Sequence, residues 1–188
     1  MRIKKLSLTA ACCTNRLTPP VHEPYKKFWS LKTMGAREQK LQELGYDIKK
    51  IKPEGDLIKG VVTDGTTLYA SGQVPMDGDV LVSKGKVPSE VSVEDAKKAA
   101  ELCAANLLRA VHRHVGDLDR IERVIRITGY VNTDTDFTDC HVVINGASHL
   151  VREVFGDAGQ HARTAIGLAQ LPLGCSVEVE MILRLKSE

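Results

Sequence analysis

From residue 57 onward the chain switches between a two-residue and a 3.6-residue hydrophobic period. Residues 57–63 and 66–71 are β-prone runs joined by Asp64-Gly65. That step predicts a tight primed hairpin turn, which needs positive φ. Gly72-Gln73-Val74-Pro75 should break the second strand, and a short strand near 80–82 should follow Asp77-Gly78-Asp79. Ser92-Val93-Glu94-Asp95 has the form of a capped helix start. Ala96, Ala99, Ala100, Cys103, Leu107, Ala110 and Val111 then recur at helical spacing, predicting a helix to about Val115 with Gly116 as its stop. The many alanines predict a close approach to a sheet. A strand over 121–131, a helix over 140–155 stopped by Gly156, and two strands near 163–170 and 176–185 complete the pattern. Upstream, 36–44 predicts a short helix ended by Gly45, and 52–56 a linker.

Helices long enough to cover one sheet face lie between strands, so the order reads as α+β with both helices on one side. The last strand shows what the other face must solve. Val177, Val179, Met181, Leu183 and Leu185 fill one side, while Glu178, Glu180, Ile182 and Arg184 fill the other. A half-polar face of this kind is solvated, forms an oligomer interface or lines a cleft.

The chain has 188 residues, 43% hydrophobic and 27% charged, which suits one soluble domain plus a tail. No apolar stretch is long enough to cross a bilayer. The net charge of +2 hides an asymmetry. Residues 1–35 carry seven Lys or Arg and one acid, and the remainder is net negative. This division separates a basic leader (1–35), a short helix and linker (36–56) and a main domain (57–188). The leader, without acids up to Val21 and rich in Ser and Thr, resembles an organellar transit segment. Mitochondrial targeting is the expectation. Plastid targeting, or a disordered tail on a cytoplasmic protein, is the alternative. The acidic body lacks the Lys and Arg clusters of a nucleic-acid surface. Five cysteines match no zinc or redox spacing and predict free thiols.

Several motifs fail on inspection. Gly156-Asp157-Ala158-Gly159 has the form of an RNA-clamping loop but carries Asp where basic residues would help. His112 and His114 sit two apart on a helix and cannot share a metal face; they suit its negative C-terminal end. No Walker loop or dinucleotide fingerprint is present.

The run Leu68-Tyr69-Ala70-Ser71-Gly72-Gln73-Val74-Pro75 resembles a strand of the RidA/YjgF (endoribonuclease L-PSP) superfamily. His161-Ala162-Arg163-Thr164-Ala165, Leu171-Pro172 and Val177-Glu178-Val179-Glu180 are similar to its closing signature. Ile144-Asn145-Gly146-Ala147-Ser148 and Glu153-Val154-Phe155-Gly156 resemble a divergent branch. The resemblance covers about residues 57–185. It implies a chorismate-mutase-like fold whose subunits pack sheet to sheet as a homotrimeric barrel with clefts between neighbours. It further implies hydrolysis of reactive 2-imino or enamine carboxylates to 2-keto acids and ammonia, without metal or organic cofactor.

On that resemblance, Arg163 grips the substrate carboxylate, a task suited to a planar fork of donors. Glu178 holds the attacking water and shuttles a proton. Ser71, Gly72, Asn145 and Ala165 complete the binding pocket. Plainer readings stand beside these: a paired surface arginine, a solvated glutamate, a strand-end hydroxyl, a capping asparagine. The sequence also departs from the family pattern. Ala165 stands where a cysteine is common, and Ile58 where a tyrosine is. His161 shares a strand face with Arg163 and could supply an acid–base group, or be a polar rim residue. A non-catalytic carboxylate-binding trimer and an endoribonuclease are the competing functions.

Overall fold

A computed structural model describes residues 34–50, 55 and 57–187. The expected targeting leader, most of the linker, and Cys12 and Cys13 lie outside the described residues.

Ala36–Glu43 forms helix α1, whose Leu41 is fully buried. Val61–Asp64 (β1) and Thr67–Gln73 (β2) form the first hairpin. Its turn residues are Gly65 and Thr66, one step beyond the expected Asp64-Gly65 pair. Asp64 stays in the strand opposite Thr67, and only Gly65 takes positive φ (58°). A turn with positive φ at its first central residue alone follows the II′ pattern; the I′ form needs it at both. The strand begins at Val61 rather than near Leu57, because the exposed stretch Leu57–Lys59 finds no ladder partner. Met76–Asp77 (β3) and Val80–Leu81 (β4) make a small separate ribbon.

Val93–Val115 is helix α2. The Ser92 side chain caps it by accepting from Asp95 N–H, and Gly116 ends it in the left-handed conformation (φ 79°). Every residue of the expected apolar stripe is buried. Ile121–Asn132 is β5, Cys140–Phe155 is α3, Ala162–Leu168 is β6 and Val177–Leu185 is β7.

The strands assemble as a five-stranded sheet in the order β1-β2-β7-β5-β6. All pairs are antiparallel except β5 with β6. α2 and α3 pack on each other and on one face of the sheet. Val177, Val179, Met181 and Leu183 of β7 are buried beneath them. The fold is thus α+β with the helices on one side, as the pattern predicts.

The opposite face has no covering element among the described residues. Register places Val62, Tyr69, Ile182, Glu180, Glu178, Tyr130 and Ile166 on it. Val62 is 52% exposed, Tyr69 48% and Ile166 41%. Cys103, Cys140 and Cys175 are buried free thiols. Burial raises the pKa of all three, Cys175 to about 11, which leaves them chemically quiet. No helix among the described residues is long and apolar enough to cross a membrane.

Candidate functional site

The sequence-predicted site residues fall into two groups. The first is built on α3 and the edge strand β6. Arg163 pairs in register with buried Ile127, so its side chain leaves the sheet on the helix side. There its Nη1 donates to Asn145 Oδ1 at 2.8 Å and to Ser148 Oγ at 3.1 Å. Asn145 and Ser148 are three residues apart on α3, hence on one helix face. Asn145 is therefore tied to the guanidinium rather than to a helix cap.

His161 joins the same group. Its Nδ1 lies 2.6 Å from Gly159 O and its Nε2 lies 3.1 Å from Ser148 Oγ. A carbonyl can only accept, so Nδ1 carries the proton and Nε2 accepts from the serine hydroxyl. Burial lowers the His161 pKa. The Gly159 carbonyl partly opposes this, and Arg163 and Arg152 add to it. The imidazole is thus held neutral, which suits an orienting role better than a proton donor. The Gly156–Gly159 turn is the element that aims this ring.

Ser148 is the residue that sequence reasoning missed. It links His161 to Arg163, yet a single serine on an amphipathic helix carries no signal of its own. Arg163 itself is exposed, and among the described residues only Nη1 has hydrogen-bond partners. One nitrogen is anchored; the rest of the fork faces outward. Ala165 packs its methyl partly against the core, on the same strand face as Arg163.

The second group lies on the open face. Glu178 pairs with Tyr130 across the β7–β5 ladder. Its carboxylate lies over Gly72, where a Cβ would collide with Oε1. Gly72 falls where the β2–β7 register shifts between Ala70 and Gln73. Such an irregularity lets a backbone approach a side chain closely. Ser71 is already engaged: its Oγ donates to Lys59 O at 2.7 Å and its N–H to Gly60 O at 2.9 Å. Burial raises the Glu178 pKa, and neighbouring Glu180 adds to the effect. Tyr130, a second residue the sequence did not single out, has its own pKa raised, mainly by burial and further by the neighbouring Glu180 carboxylate. Ile58 is 67% exposed outside any strand.

Within one chain the two groups do not meet. Arg163 leaves the sheet on the helix side and Glu178 on the open side, with β5 between their strands. Two clefts among the described residues lie elsewhere. One of about 610 Å³ runs along α2 beside Tyr46, Asp47 and Arg109. Another of about 580 Å³ lies beside Lys86. The Lys86 ammonium is occupied there, bonding Asn132 Oδ1, Thr133 O and Ala169 O.

A single sheet backed by two helices, with a half-apolar open face and an arginine and a glutamate on opposite sides of it, defines the α+β class of the chain. The match to a family model makes the class specific. Residues 44–185 match the family described as "YjgF/chorismate mutase-like, putative endoribonuclease". The chain belongs to this RidA/YjgF (endoribonuclease L-PSP) superfamily. It is similar to protein TCP17 of Trypanosoma cruzi, at 35% identity over 78% of this chain and 92% of that protein. Its fold is similar to the crystal structure of Atu1372 from Agrobacterium tumefaciens, with a TM-score of 0.75 and 40% identity over 80% of this chain and 93% of that one. A Shewanella oneidensis structure shares the fold at a TM-score of 0.76 and 24% identity, covering 80% of this chain and all of that one.

Proposed function

We propose that the protein is a hydrolytic deaminase of small 2-imino or enamine carboxylates, working in a cleft between subunits of a homotrimer. The observation that carries this reading is the half-anchored guanidinium of Arg163, fixed at Nη1 and open elsewhere. A planar fork held this way is matched to a carboxylate by two parallel charge-assisted hydrogen bonds.

Glu178 supplies the other half. Its pKa is raised by burial and by neighbouring Glu180, the direction that suits a carboxyl for general acid–base work. In the proposed reaction, water adds to the imine carbon and passes a proton to Glu178. The glutamic acid returns that proton to nitrogen to give the carbinolamine, then relays the hydroxyl proton to nitrogen as the C–N bond breaks, releasing ammonia and the 2-keto acid. Because Arg163 and Glu178 sit on opposite sides of one sheet, a complete site needs the Arg163 group of one copy against the Gly72–Glu178 group of another. The exposed apolar residues of the open face favour that assembly.

The test generates 2-iminopropanoate in situ and follows its decay. Wild type should accelerate it, and Arg163→Ala and Glu178→Gln should each abolish most of the acceleration. If wild type binds keto acids yet leaves imine decay unchanged, the protein is a carboxylate-binding trimer, a reading that the absent cysteine at Ala165 would suit. RNA cleavage that survives Arg163→Ala would favour the endoribonuclease.

A further inference from the structure

Far from Arg163 and Glu178, the start of α1 meets the turn after α2. Carboxylate oxygens of Glu38, Asp117 and Asp119 all lie within 4.8 Å of one another there. Acidic clusters are common on surfaces, but Glu38 is only 2% exposed. Its Oε1 accepts from Leu118 N–H and faces His112 Nε2 at 3.7 Å. Its Oε2 is buried, with no hydrogen-bond partner among the described residues. A buried acceptor left unmatched is costly unless something outside the chain satisfies it.

The orphan oxygen points into the cluster. A Cβ placed on Gly35 would collide with Glu38 Oε2 and lie 2.8 Å from Asp119 Oδ2 and 3.0 Å from Asp117 Oδ1. The three oxygens therefore crowd around one small volume that only glycine at position 35 leaves open. We propose that Glu38, Asp117 and Asp119 form a divalent-cation site of the calcium type, clasping α1 to the turn after α2.

The donor chemistry sets the class. All three donors are carboxylate oxygens, which select hard cations over zinc or copper. Three protein carboxylates at one point favour calcium, because magnesium is usually held by one or two carboxylates and keeps several waters. Existing bonds leave the site assembled: Ala36 N–H donates to Asp119 Oδ2 at 2.8 Å, and Asp119 N–H to Asp117 Oδ1 at 2.8 Å. Arg37 Nε, 3.6 Å from Asp119 Oδ1, offsets part of the negative charge. With three protein residues and water completing the shell, affinity belongs in the weak calcium range, roughly 10⁻⁴–10⁻³ M.

The test uses the full chain stripped with EDTA and titrated with calcium chloride, read by calorimetry and by melting. A saturable heat for about one ion per chain, and a melting rise of about 3 °C at millimolar calcium, are expected. Magnesium should give a clearly smaller shift. Asp117→Asn keeps an acceptor for Asp119 N–H and should weaken calcium binding about tenfold or more. Glu38→Gln should remove the calcium-dependent shift. No heat and no shift in wild type overturns the site, and an equal magnesium response overturns the calcium assignment. Should Glu38→Gln fail to fold, Asp117→Asn decides alone: unchanged calcium affinity in that variant overturns the proposal.

Discussion

Nε2 of His161 and the hydroxyl of Ser148 lie 3.1 Å apart, and the same hydroxyl oxygen accepts from Arg163 Nη1. A neutral imidazole thus fixes the direction of a serine O–H, and that serine fixes a guanidinium. Ser148→Ala cuts the chain at its centre while leaving Asn145 in place. Loss of one such bond should raise KM for an imino acid about 3–10-fold, with kcat little changed. Ser148→Thr, which keeps the hydroxyl, should recover most of the loss. Steady-state kinetics separate this from a packing defect, which would lower the melting point of both variants.

Gly72→Ala tests the other half of the site. The new methyl would strike the Glu178 carboxylate, the movable end of a side chain rather than backbone. Because only that side chain must move, folding stability should change by about 1 kcal/mol or less, but the carboxylate must leave its position. Imine hydrolysis should fall tenfold or more, in the range seen when a general base is displaced. An active Gly72→Ala enzyme would show that Glu178 does not work from where it lies.

How far the sequence was legible depends on whether a signal was periodic. The alanine stripe of α2 and the alternation of β7 repeat over many residues, and both give the observed burial. The Arg163 group was visible only through resemblance, since one arginine on an edge strand has no periodic signature. Ser148 and Tyr130 were missed for the same reason: their roles come from register between segments far apart in sequence. The opposite-side placement of Arg163 and Glu178 depends on strand order β7-β5-β6, which alternation within each strand does not encode. Buried Glu38 was hidden because the α1 sequence is polar nearly all round.

The raised pKa of Glu178 makes a pH prediction whose sign is fixed. A carboxyl whose folded pKa lies above its unfolded value contributes stability at acid pH, and that contribution is lost as pH rises through the folded pKa. Glu178→Gln should therefore be more stable than wild type at neutral pH, and the difference should vanish below the ordinary glutamate range. Denaturant melts at several pH values would show it. A variant less stable than wild type at neutral pH would mean that Glu178 is paired in the assembled protein.

The open sheet face predicts oligomerisation. Tyr69 stands on it beside Val62 and Ile182, half exposed. Light scattering should give about three times the 20.6 kDa chain mass. Tyr69→Glu, which buries a charge if the face is covered, should shift the population to smaller species and abolish activity together. A wild-type monomer that still hydrolyses imines would remove the need for two copies.

The contact between the two helices can be tested at Gly146. It lies on α3 with its Cα turned toward α2, where an added Cβ would run into the Lys97 carbonyl oxygen and sit 2.9 Å from the carbonyl carbon. Both atoms are backbone, so no side chain can swing aside and the helices must separate. Alanine favours a helix over glycine by about 1 kcal/mol, which works against the overpacking cost of typically 1–3 kcal/mol or more. Here the overpacking should win, because α2 and α3 pack closely on each other and would be pulled apart. Gly146→Ala should lose about 1–2 kcal/mol in urea unfolding, the overpacking cost less the propensity gain. A stabilised variant would mean that helix propensity decides at this position, and that the two helices lie farther apart than the close approach described above.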